Sequence, residues 1–159
     1  MAEETRQFSP IWTILPRKLR TLRQLSWADR WLLLQVWLLL GIFRALILTV
    51  PFARLSQYFG QRLMESIPEI TPEHLQQAKK IRWAIRLMSS YTPWESNCFP
   101  QALTAKYLLA RQGITSTLYL GANFQAPGEM AAHAWLRCGP LFVTGGAGHL
   151  RFGTVMYFS

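Results

Sequence analysis

The chain has 159 residues, half of them hydrophobic, with seven tryptophans, two cysteines and a formal net charge of +9. That length fits one domain or a small core with a helical extension, and two cysteines without a repeated spacing give no disulfide framework, which points to a reducing cytoplasm. The basic balance admits an acidic peptide, an acidic protein, nucleic acid or an anionic membrane and selects none of them. The absence of a nucleic-acid motif argues against that partner.

Residues Met1 to Pro16 read as irregular, with two prolines and the acids Glu3 and Glu4. Arg17, Lys18, Arg20 and Arg23 form a basic cluster, and no short apolar core with a cleavage site follows, so a signal peptide is not expected. Ser26 with Asp29 three residues on resembles a capping box and opens a helix. The run WLLLQVWLLLGIF (31–43) is interrupted by Arg44 and continues to Pro51, about the length of a minimal span. An arginine inside lipid costs about 2.5–3.5 kcal/mol. The stretch 27–50 is therefore expected to contact protein, with membrane contact as the alternative.

A second helix is expected over Phe52 to Met64, then a connector through Pro68. Thr71–Pro72–Glu73 places a cap, a proline and an acid at a helix start, and that helix runs to about Ser90. Leu75, Ala78, Ile81, Trp83, Ala84 and Leu87 give it a broad apolar face; Lys79, Lys80, Arg82 and Arg86 read as a solvated one. Tyr91 to Ser96 is an approach loop, in which Trp94 is either a wall of a substrate site or a packing residue.

Asn97 is placed to cap the next helix through its side chain, and Pro100 is tolerated only near such a start. Gly113 stops it. Cys98 thus sits where the positive end of the helix dipole points, a position that suits a thiolate nucleophile. Its backbone N–H can serve as half of an oxyanion hole. A buried structural thiol is the plainer reading of one cysteine taken alone.

Strands follow at Ile114–Leu120 and Ala132–Arg137, with a loop expected over Ala122–Met130. Gly139–Pro140 makes a hairpin to Leu141–Thr144, and Arg151–Phe158 reads as a last strand. Alternation puts His133, Trp135 and Arg137 on one face and Ala134, Leu136 and Cys138 on the other. His133 beside Trp135 suits a general base, or is a packing histidine. With Cys98 it forms the thiol-then-imidazole order that cysteine catalysis needs. No Asp or Glu occurs from Ala134 to Ser159, so the third, orienting role falls to Thr144, to a carbonyl of the Gly145–Gly146 turn or to Glu129, or the pair works as a dyad. His149 reads as a surface loop histidine, and His133, Cys138 and His149 do not make a metal pattern.

The pieces SNCFPQAL, LLARQGI, LYLGA, AHAWLRCG and VTGG together resemble the leader peptidases of lasso-peptide biosynthesis, which include the microcin maturation proteases. The resemblance implies an α+β fold: an N-terminal helical region (1–90) and a transglutaminase-like, papain-like core (91–159) with the cysteine helix on a small antiparallel sheet. It implies a cysteine-type hydrolase with Cys98 as nucleophile and His133 as general acid/base, and Trp94, Asn97 and Trp135 near the substrate. It implies no cofactor. The implied partners are the leader segment of a precursor peptide, a separate leader-recognition protein and an ATP-dependent cyclase. A non-catalytic peptide-binding scaffold and a transglutaminase-type acyltransferase are the alternatives.

Overall fold

The computed structural model describes residues 25–126 and 129–159; the side chains at 124–129, and the basic cluster at 17–23, lie outside that description. The helices are α1 (Trp27–Thr49), α2 (Phe52–Leu55), α3 (Pro72–Met88) and α4 (Cys98–Ala110). The strands are β1 (Thr117–Ala126), β2 (Glu129–Cys138), β3 (Leu141–Thr144) and β4 (Gly153–Phe158), in one antiparallel sheet of order β3-β2-β1-β4. The fold is α+β, as the sequence implies.

Ser26 Oγ accepts from the Asp29 N–H at 3.1 Å, which starts α1 as expected. Lys80 reaches the Asp29 carboxylate and, with the Ser26 hydroxyl, holds it below its ordinary range, so the start of α1 is tied to α3. Arg44 does not break the helix; its guanidinium pairs with Glu95 at 2.6 Å. Leu33, Val36 and Leu40 face the core, whereas Trp27, Trp31, Leu34, Leu38, Ile42 and Leu48 are exposed. α1 is long and apolar enough to cross a membrane.

The expected helix over 52–64 is not formed. α2 is one turn, followed by a 3-10 turn at Ser56–Tyr58. Gly60, at φ +105°, ends it, because the chain here must run against the backbone of Ser159, where a Cβ would meet the carbonyl oxygen. Gln61 and Ser159 exchange two backbone hydrogen bonds, and Arg62 bridges Phe158, so this stretch extends the sheet beyond β4.

The helix expected from Thr71 forms: Thr71 Oγ1 accepts from His74 N–H at 3.3 Å. α4 packs on the sheet and is flanked by α1 and α3. Its Ala102, Leu103, Ala105 and Leu109 share one core with Ala134, Leu136 and Cys138, with α3 and with the inner face of α1, so the core is continuous across residue 90. Gly113, at φ +70°, lets Ile114 N–H return to Leu109 O at 3.0 Å and closes the helix.

The loop expected over 122–130 is instead most of a long hairpin. β1 and β2 pair from Thr117–Arg137 out to Ala126–Glu129. Backbone pairing with β2 overrides the weak strand propensity of Ala122 and Asn123. The segment before α3 is pinned to the sheet by Glu65, which accepts from Tyr119 Oη at 2.9 Å and from Arg137 Nη2 at 3.2 Å.

Candidate active site

Cys98 opens α4 and is half-buried. Asn97 occupies the cap position, but its side chain makes no capping hydrogen bond. The start is held instead by Gln101, whose backbone N–H donates to Asn97 O at 3.3 Å and whose Nε2 donates to Ser96 O at 2.6 Å. The exposed Asn97 side chain therefore leaves the first turn uncapped, and first-turn N–H groups are not taken up by it.

His133 stands on β2 opposite Gly121 of β1. Its Nε2 lies 2.9 Å from the carbonyl oxygen of Gly145. A carbonyl only accepts, so this contact places the proton on Nε2 and, in the neutral ring, leaves Nδ1 as the free acceptor. A ring held in that tautomer is set up to take a proton through Nδ1. The ring also stacks on Phe152 (centroids 4.9 Å) and Trp135 (5.8 Å).

Cys98 and His133 line one cavity of about 280 Å³, walled by Phe52, Phe99, Gly121 and neighbouring strand residues. No hydrogen bond joins sulfur and ring in this state; such contacts commonly tighten only when substrate is bound. His133 also lines a broader groove of about 920 Å³.

The carbonyl of the Gly145–Gly146 turn, one of the alternatives for the orienting group, is what the imidazole meets. Thr144 is not: its hydroxyl is buried with no hydrogen-bond partner among the described residues. A bulge between Leu136 and Arg137 sets Thr144 opposite Leu136, one residue off the simple hairpin register that places it near His133. Gly145 adopts φ +69°, and a Cβ there would lie 2.4 Å from Ala134 O. Glu129 begins β2, and its side chain is outside the described ones.

Trp94 and Trp135 are not walls of the thiol cavity. Trp94 packs on α1, 4.8 Å from the Trp37 ring centroid and over Gly41. Trp135 is 4% exposed and stacks on Tyr119 at 5.5 Å. Its role is support, because it also backs His133, Gly121 and Gly145. His149 is not a surface histidine: its Nδ1 donates to Gly146 O at 2.5 Å and its ring packs on Phe142. Among the described residues no three His, Cys, Asp or Glu converge as metal ligands.

Sequence reasoning missed Gly121, Phe152, Phe52 and Phe99. Gly121 had a readable signal, a glycine inside a strand pattern. It is required because a Cβ would meet the Trp135 ring at 2.7 Å.

No curated protein and no solved structure matches the chain. A family model, that of the transglutaminase-like superfamily, matches residues 46–157, a stretch that spans Cys98, His133, strands β1 to β3 and β4 up to Tyr157. The chain belongs to the transglutaminase-like superfamily, whose members are typically cysteine-type enzymes.

Proposed function

We propose that the protein is a cysteine peptidase that removes the leader from a lasso-peptide precursor. The observation that carries the reading is the shared cavity of Cys98 and His133, with the imidazole held by Gly145 so that Nδ1 is free. The resemblance of the SNC, AHAW and VTGG pieces to the leader peptidases supplies the substrate class.

In this reading Cys98 Sγ gives its proton to His133 and attacks the carbonyl carbon at the leader–core junction. The oxyanion formed is stabilised by backbone N–H groups at the start of α4, that of Cys98 among them. The C–N bond breaks, the imidazolium returns its proton to the leaving amine, and the leader remains as a thioester. Water, deprotonated by His133, adds to the thioester and releases a leader carboxylate and the free thiol. The site needs no cofactor for these steps. The leader is presented by a separate recognition protein, and an ATP-dependent cyclase consumes the freed core amine. The work is cytoplasmic, and the exposed apolar stripe of α1 is the surface available to a partner protein or a bilayer.

The test is incubation with a precursor and its leader-recognition protein, read by mass spectrometry. A product cut at the leader–core junction is expected, and none with Cys98→Ala. A product in which the acyl group has moved to an added amine would reassign the protein as an acyltransferase. The lack of any carboxylate after His133 favours, as a second reading, a scaffold that presents a peptide without cutting it; a precursor that binds and leaves intact is its signature.

A further inference from the structure

The groove of about 920 Å³ beside His133 has no part in the chemistry above. One wall is the C-terminal half of α3, with Arg82 and Arg86 one turn apart on its exposed side. β3, the glycine turn after it and Arg151 also line the groove. Among the described residues no Asp or Glu lines the groove. Among the described residues none of these three arginines has an ion pair, whereas Arg44, Lys80 and Arg137 do. The groove is thus a concentration of uncompensated positive charge.

Two further features fix the shape of an occupant. Among the described residues β3 is an edge strand, paired with β2 alone, and each of its four residues lines the groove. Unpaired strand edges accept an extended chain through main-chain hydrogen bonds. The groove also runs to the reactive centre. A Cβ on Gly148 would lie 3.4 Å from His133 Nε2 and 3.8 Å from an Arg151 guanidinium nitrogen, so both groups press on the same bare glycine.

We propose that this groove binds an extended acidic segment of the peptide substrate, with its backbone along β3 and its carboxylates on Arg82, Arg86 and Arg151. Guanidinium groups suit carboxylates because they donate two parallel hydrogen bonds. The proposal rests on the peptidase reading for what the peptide is, and on the groove alone for its charge and extended form. A single nucleic-acid strand also seeks positive charge, but it gains nothing from a free strand edge.

The experiment uses the full chain with Cys98→Ala and follows fluorescence anisotropy of three labelled probes: a peptide alternating Glu and Leu, its Gln counterpart, and oligothymidylate of equal charge. The acidic peptide is expected to bind at least tenfold more tightly than the Gln peptide and than the oligonucleotide. The double variant Arg82→Glu/Arg86→Glu is expected to remove that margin, and Arg82→Lys/Arg86→Lys to keep most of it, each checked for unchanged circular dichroism. Equal binding of the two peptides, tighter binding of the oligonucleotide, or a margin that survives charge reversal overturns the proposal. With the Cys98 thiol restored, charge reversal is expected to raise KM for precursor with kcat little changed. If the wild-type chain cuts no precursor, the peptidase reading falls while the probe comparison still decides the groove.

Discussion

The two cysteines of this chain occupy opposite environments. Cys98 is half-buried at a helix start, in a cavity that it shares with an imidazole. Cys138 closes β2 inside the core with no exposed surface; its Sγ donates to Thr115 O at 3.4 Å, and burial pushes the thiol pKa up against the opposing pull of Arg137. Composition treats the two alike. What separates them is whether the backbone around the sulfur is free to serve a ligand: a first helical turn has unpaired N–H groups, whereas a strand in mid-sheet has spent its own. In the proposed peptidase a reactive thiol and an inert one would be made by position, not by residue type.

The largest expected effect tests that contrast directly. Cys98→Ala should lower precursor cleavage by roughly 10³-fold or more, whereas Cys138→Ala should leave kcat/KM within about threefold and cost about 1 kcal/mol of stability in urea titration. Equal losses in the two variants would erase the distinction. Alkylation sharpens it: native protein should take one equivalent of iodoacetamide, at Cys98, and a second only after denaturation, as peptide mapping will show.

Next in size is the turn that holds the imidazole. Gly145→Ala forces a side chain into φ +69° and onto Ala134 O. A loss of about 1–3 kcal/mol in stability is expected, with kcat falling more than KM rises. A variant as stable and active as wild type would detach Gly145 from the site.

The smallest effect concerns charge in the interior. Burial pulls Lys106 down to about 8, its ammonium donating to Ser116 O at 3.1 Å. The native state therefore holds fewer protons than the unfolded chain between about pH 8 and the ordinary lysine value of 10.5, so this group makes stability rise with pH across that window. Cys138 acts in the other direction: its raised pKa keeps the proton on in the native state, so its contribution is present below its ordinary value of 9.0 and is lost as pH rises beyond it. Lys106→Met should flatten the rise, and Cys138→Ala should steepen it, in melting temperatures measured from pH 7.5 to 10.

How far these features were readable in the sequence follows from their range along the chain. The caps at Ser26 and Thr71, the Cys98 helix and the His133 strand are written in residues three or four apart, and they formed as expected. The helix expected over 52–64 failed because a partner nearly a hundred residues away, the backbone at Ser159, competes for that stretch. The hairpin register slipped by one because a bulge has no local composition signal. Asn97 looked like a side-chain cap, yet the Gln101 side chain holds that turn. The arginine groove was invisible because its walls come from α3, β3 and the residues after it, and Arg82 and Arg86 read as ordinary solvated charges.

One consequence follows from the oxygen that steadies His133. It belongs to the main chain, so no substitution of a side chain deletes it. In the proposed peptidase, an alanine scan would report a two-residue machine and pass over the third part in silence. An amide oxygen also does not ionise near neutrality, so this hold on the ring does not change with pH as a carboxylate's would.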